Sequence, residues 1–372
     1  MKIIIAPDSF KGTLTAPEVC NIIARKFHEV IPGADIICVP LADGGEGMAA
    51  AWQAACGGTI QSDEVAGPYG EPVQAQWLLL DDGAVVLEMA TCAGLELARP
   101  YGLNPERAST RGVGELIQAA GRRIQASGNP TPKIILGLGG SATNDAGCGM
   151  AHALGWKFLN RAGEAFYPTG GTLCEVASIL PPDSYHLPLV LAACDVANPL
   201  YGPSGAAHVY APQKGADAAM VRCLDAGLRH IVKVMHADDI AKMPGAGAAG
   251  GLGFGVLAFL RGELRSGIDL LLEQVRFHEI LRAADLVITG EGRMDLQTLQ
   301  GKAPMGVLRY AKAANVPVVG ICGCLGEGAE ALRQAGFAAL YPASEGGLSL
   351  HELRQTCRSD LAEATRKAAT EF

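Results

Sequence analysis

Short apolar runs, glycine-rich turns and amphipathic stretches alternate along the chain, and the rhythm changes twice. Residues 2–6 (KIIIA) are apolar after the first position, as expected of a strand covered on both faces. Pro7 ends it. Thr15-Ala-Pro-Glu18 reads as a capping box with proline in the first turn, so a helix is expected to about Ile31. Ile36 to Val39 predicts a second strand. A turn over 42–47 and a helix of small residues to Cys56 follow. From Thr59 to Ala90 the pattern is one of short β segments, divided by turns at Gly67-Pro68-Tyr69-Gly70 and Asp81-Asp82-Gly83. That is hairpin patterning, not strand-helix-strand.

Gly112 to Ala126 predicts a helix, Lys133 to Leu136 a strand, and Leu187 to Ala193 another. A helix is expected from about Ala216 to Met235, then a glycine-rich loop over 245–255 and a helix over 256–265. Strand and helix then alternate again. Asp285–Thr289, Val316–Ile321 and Ala338–Tyr341 read as strands, with helices near Met305 to Ala314 and from about Ser349. Residues 1–60 and 280–372 thus supply five strands with crossover helices, a discontinuous parallel α/β domain. Residues 61–279 read as an inserted mixed α/β domain. Ligands of open α/β sheets bind beyond the carboxyl ends of the strands. The expected active site is therefore the cleft between the two domains.

Composition narrows the class. A chain of 372 residues with 49 % hydrophobic residues can bury a large core. Its net charge of −8, with no basic patch interleaved with aromatics, argues against nucleic acid as a partner. The most apolar stretch, Ala246 to Leu260, is too short and glycine-rich to span a bilayer. No signal peptide pattern precedes the first strand. The 11 cysteines are scattered, with no CxxC or zinc spacing, and are expected to be reduced and buried. A cytoplasmic location follows from these features. The sequence leaves a homodimer open.

The chemistry centres on IILGLGGSATNDAGCG, residues 134–149, a strand feeding a small-residue loop and a helix. Glycines let backbone amides approach an anion, and a helix N-terminus adds its positive end. Hence Gly139, Gly140, Ser141, Thr143 and Asn144 are candidates for cradling phosphates, against the reading that they merely cap a tight turn. This is not a P-loop, because no GxxxxG precedes Lys and Ser/Thr. The dinucleotide fingerprint is weakened by Ala142 in place of its third glycine.

Asp8, Lys11, Asp43, Asp195, Glu291 and Asp295 all follow predicted strand ends. Carboxylates on glycine loops without a compelling histidine favour phosphoryl transfer, which needs positioning, Mg²⁺ and charge neutralisation. Asp195 is the first candidate for base or metal ligand and Asp43 the second, with Glu291 and Asp295 on the metal side. Asp8, Ser9 and Lys11 are candidates for binding substrate, the Lys11 ammonium being suited to a substrate carboxylate or a phosphate. Lys214 and Lys302, beside glycines, read as surface lysines. His152 reads as a packed residue within an apolar helix.

Seven stretches resemble the type I glycerate kinases, in order from residue 1 to about 325: MKIIIAPDSFKGTLTA, PLADGGEG, GLGGSATNDAGCGMAHALG, ACDVANPLYGPSGAA, APQKGA, PGAGAAGGLGFG and VITGEGRMDLQTLQGKAP. The resemblance implies two α/β domains, one Rossmann- or flavodoxin-like. It also implies phosphorylation of D-glycerate by ATP with Mg²⁺, usually to 2-phosphoglycerate. Gly12-Thr13 departs from the Glu-Ser associated with that family. Alternatives are a kinase for another hydroxyacid or one giving 3-phosphoglycerate. A GHMP-type kinase shares a loop like GLGGSA but begins with β-rich structure. A non-catalytic sugar-acid binding protein would need no metal carboxylates.

Overall fold

The computed structural model describes residues 1–42, 47–127, 133–183 and 187–371, apart from the side chain of Gln300. Asp43 lies outside the described residues. The chain is mixed α/β and divides into two compact units. One holds Met1–Asp43, Ala50–Gly57 and Ser266–Phe372; the other holds Gly44–Ala49 and Gly58–Arg265. Residues 266–279, grouped with the insertion on sequence alone, fall in the first unit.

The first unit carries a five-stranded sheet, all parallel, in the spatial order Ala339–Pro342, Val318–Cys322, Leu286–Thr289, Lys2–Ile5, Asp35–Cys38. Counted along the chain, that is 2-1-3-4-5, the flavodoxin-like order. The inner strands Leu286–Thr289 and Val318–Cys322 are buried at every position, which is why they read as unbroken apolar runs. Helix Ala16–Val30 begins at the expected capping box: Glu18 N donates to Thr15 Oγ1 at 3.4 Å, and Thr15 N donates to Glu18 Oε2 at 2.9 Å. The C-terminal helix Leu350–Glu371 joins it, Arg358 pairing with Glu18 and Arg354 Nε donating to Gly12 O at 2.9 Å. In this order, the switch point lies between Lys2–Ile5 and Leu286–Thr289. The two exits are bonded together there: Asp8 N donates to Gly290 O at 2.8 Å, and Thr289 Oγ1 to Ala6 O at 2.6 Å.

The second unit is built on a six-stranded mixed sheet in the order Glu263–Arg265, Leu189–Ala193, Lys133–Gly137, Val85–Glu88, Pro72–Leu79, Thr59–Ala66. The first four are parallel. The expected hairpin closes the other edge, with Thr59 opposite Leu79 and Ala66 opposite Pro72. Two features differ from the sequence reading. The helix expected over 256–265 belongs to Ala248–Leu260, which is broken by left-handed backbone at Ala249, Gly250 and Gly251, and it stops at Arg261, whose φ is +52°. Residues Glu263–Arg265 then form the sixth strand; this run is too short to show a period. A small sheet of Ala165–Phe166, Lys157–Leu159 and Ser178–Leu180 is also new, for the same reason.

All 11 cysteines are free, but Cys174 and Cys223 are exposed, contrary to the expectation that they are buried. Among the described residues, no helix is long and apolar enough to cross a membrane.

Candidate active site

Strand Lys133–Gly137 lies between two parallel neighbours, so its carboxyl end opens at the middle of the sheet edge. The chain leaves through Gly139 and Gly140, the latter exposed with φ +76°. One flank of the loop is zipped to the residues that follow Val85–Glu88. Leu95 N donates to Gly140 O at 2.8 Å, and Ala142 N to Ala93 O at 2.9 Å. The other flank rests on the second glycine-rich loop, where Ala146 N donates to Gly250 O at 3.2 Å. Gly250 has φ +68°, and a Cβ there would stand 1.9 Å from the Thr143 carbonyl oxygen. Only glycine allows this approach. The two glycine motifs, far apart in sequence, are thus the two layers of one turn.

Three hydroxyl and amine groups meet inside it. Lys214 Nζ donates to Thr143 O at 2.7 Å and to Ser141 Oγ at 3.1 Å. Thr143 N donates to Ser141 Oγ at 3.1 Å, and the two hydroxyl oxygens also lie 3.1 Å apart. Lys214 is not the surface lysine its flanking glycine suggested. It is 2 % exposed, and burial pushes its ammonium down to about 7, against a smaller upward pull from Asp145. The neighbouring Asn144 is 0 % exposed, and neither its Oδ1 nor its Nδ2 finds a partner among the described residues.

Asp145 closes the turn. Its Oδ2 accepts from Thr110 N at 2.9 Å, Thr110 Oγ1 at 2.8 Å and Gly149 N at 3.2 Å; its Oδ1 accepts from Gly147 N at 3.1 Å. Burial raises its pKa, opposed by these hydrogen bonds. The first amides of helix Cys148–Ala153 are therefore capped by the chain's own carboxylate. This modifies the expected cradle, since the positive end of that helix is already engaged. His152 is half-buried on this helix and packs edge-on against Tyr167, with ring centroids 5.1 Å apart.

Asp195 leaves the adjacent parallel strand, Leu189–Ala193, and is exposed. Its loop is anchored further on. Asn198 Nδ2 donates to Ser204 O at 2.8 Å, Asn198 Oδ1 accepts from Tyr210 Oη at 2.6 Å, and Asp225 accepts from Gly202 N and Arg229 Nε, each at 2.7 Å.

The other candidates lie in the first unit, at its switch point. Asp8 is buried and accepts from Ser9 N at 2.6 Å; Lys11 is exposed. Glu291 accepts from Thr298 Oγ1 at 2.8 Å and Lys302 Nζ at 3.3 Å. Burial raises its pKa, and both partners pull it back. Asp295 accepts from Gln297 N at 2.8 Å and Arg293 Nε at 3.2 Å. Among the described residues, no group of three or more His, Cys, Asp or Glu is arranged to hold a metal. Mg²⁺ at a phosphate needs only one or two carboxylates, with water and phosphate oxygens completing the shell, and that sparser demand these residues can meet.

A loop of glycines and hydroxyls over a buried cation, with Asp195 at the neighbouring strand exit, is chemistry compatible with a small-molecule kinase. The Glycerate kinase family model matches residues 3–372, and the chain belongs to that family. It is 44 % identical to a glycerate kinase of Bacillus subtilis (strain 168), covering 100 % of both chains. It is 41 % identical to the glycerate 2-kinase of Escherichia coli (strain K12), over 99 % of this chain and 97 % of the relative. A crystal structure from Salmonella typhimurium LT2, described as of a glycerate kinase 2, superimposes with a TM-score of 0.85 at 38 % identity, covering 100 % of this chain and 98 % of the other. The chain is thus an enzyme that phosphorylates glycerate, and kinase chemistry implies ATP as the donor.

Proposed function

We propose that this enzyme transfers the γ-phosphoryl group of ATP to the 2-hydroxyl of D-glycerate, giving 2-phosphoglycerate and ADP. The carrying observation is the loop Gly139–Asn144, where backbone, two hydroxyls and a buried ammonium converge. Its fit to phosphate rests on donor chemistry: a cation and hydroxyls lie beneath the loop, and among the described residues no carboxylate lies within ion-pair distance of that cation. The name of the Escherichia coli relative supports the 2-position.

In this reading Gly139, Gly140, Ser141, Thr143 and Asn144 bind the ATP phosphates. Asp8, Ser9 and Lys11 hold glycerate, the Lys11 ammonium facing its carboxylate. Asp195 accepts the proton of the attacking hydroxyl or ligates metal, and Glu291 and Asp295 line the metal side. Mg²⁺, when bound, neutralises charge on the transferring phosphate. An ADP-release assay with D-glycerate, ATP and Mg²⁺ tests this reading. Release that depends on all three is expected; no release with D-glycerate but release with another hydroxyacid would reassign the substrate.

A further inference from the structure

Lys214 is the group at this site that its sequence context conceals. It follows helix Ala206–Tyr210 in a turn, Pro212–Lys214, and Gly215 reverses the chain with φ +94°. The turn sends the side chain inward, under the loop that leaves the central strand. An ammonium has three protons. Two are donated, to Thr143 O and Ser141 Oγ, and no third partner stands among the described residues. Asp145 acts on it at longer range, without forming an ion pair. A buried cation with no carboxylate against it is costly, and structures that keep one generally use it.

The bond to Ser141 has a further consequence. Ser141 Oγ accepts from Lys214 Nζ and from Thr143 N, both at 3.1 Å. A hydroxyl oxygen accepts about two hydrogen bonds, so what remains to Ser141 is its proton. The available acceptors are Thr143 Oγ1 at 3.1 Å and Thr143 O at 3.4 Å. Both are neutral, and an anionic oxygen is a stronger acceptor than either. Beside them, the Asn144 amide is fully buried with no partner for either of its polar atoms. The turn therefore holds a set of polar groups that its own residues leave incompletely satisfied, with positive charge beneath and exposed Gly140 at the rim.

We propose that Lys214 is a positioning residue for phosphoryl binding: it fixes the Ser141 hydroxyl as a donor and places a positive charge beneath Gly139–Ser141, where the triphosphate of ATP docks. The inference rests on the assignment of this loop to ATP. It adds a residue and a route, the route running through Ser141.

The experiment is calorimetric titration with ATP, and with inorganic tripolyphosphate as a probe of the anionic chain alone. The proteins are wild type, Lys214→Met, Lys214→Arg, Ser141→Ala and the Lys214→Met/Ser141→Ala double variant, with KM for ATP and glycerate measured in parallel. Loss of one charge-assisted interaction corresponds to about ten- to a hundredfold in affinity. Lys214→Met is expected to weaken ATP and tripolyphosphate by about that factor and leave the glycerate KM within about twofold. Lys214→Arg recovers part of the loss. The double variant binds little worse than the worse single one, because both act through one hydroxyl.

Stability separates this role from a merely structural tie. An ordinary lysine ionises near 10.5, and burial pushes Lys214 to about 7. Between those values the unfolded chain binds more protons than the folded one, so stability gains from this group as pH rises from 7 toward 10. Its cost is greatest below about pH 7. Lys214→Met removes that dependence and melts no lower than wild type at neutral pH.

Wild-type-like ATP affinity in a folded Lys214→Met variant overturns the inference alone. So does equal loss of ATP and glycerate affinity together with a lowered melting temperature, or full additivity in the double variant. If wild type binds neither ATP nor tripolyphosphate, the assignment of the loop itself fails, and this inference with it.

Discussion

Replacing Asp145 with alanine is expected to cost about 3–5 kcal/mol of stability, because several buried donors lose their acceptor at once. The carboxylate is fully buried and accepts four hydrogen bonds, from Thr110 N, Thr110 Oγ1, Gly147 N and Gly149 N. These donors come from two separate segments, so a single side chain ties the loop 143–149 to the start of helix Arg111–Ser127. Thr110 Oγ1 in turn accepts from Met150 N at 2.9 Å, extending the network into the next helix. Without the carboxylate the donors are left buried and unpaired, each at about 1–3 kcal/mol, partly offset by removal of a charge that burial disfavours. Denaturant unfolding measures the loss. A variant within about 1 kcal/mol of wild type would mean that water or a local shift replaces the carboxylate.

The second large effect is on turnover. Asp195→Asn keeps the shape and the acceptor oxygen while removing the charge and the proton acceptor. A reduction in kcat on the order of 10²-fold or more is expected, the scale of one general-base contribution. Asp195 is exposed at the end of strand Leu189–Ala193, beside the strand that leads into the loop 139–145, so the fold should tolerate the change. Two roles give different patterns. Loss of a base leaves kcat low at any Mg²⁺ concentration, whereas loss of a metal ligand is partly rescued as Mg²⁺ rises. Near-normal turnover in a folded variant contradicts both.

Strand rhythm made much of the architecture legible. The apolar runs at 2–6, 285–289 and 316–321 were readable because a parallel strand buried on both faces has no polar interruption. The Thr15–Glu18 box and the Gly67–Gly70 turn carry their chemistry in a few adjacent residues. Glu263–Arg265 did not show itself, because a three-residue edge strand with charges at both ends has no recognisable pattern.

At the site, the loop 139–145 announced itself by composition. Its electrostatics did not. Nothing near Asp145 in the sequence points to Thr110, which only the fold brings to it, across 35 positions. Lys214 lies 73 positions from Ser141, and lysine beside glycine is usually solvated. The signal available in the sequence was Pro212 and Gly215 bracketing it, a rigid turn that fixes where the side chain goes.

The most direct measurement of the central reading is the identity of the product. D-glycerate is phosphorylated with ATP and Mg²⁺, and the product is passed to enolase, which dehydrates 2-phosphoglycerate. Immediate conversion, with ADP formed in equal amount beforehand, is the predicted result. Conversion only after a phosphoglycerate mutase is added would place the phosphate on the 3-hydroxyl and contradict it.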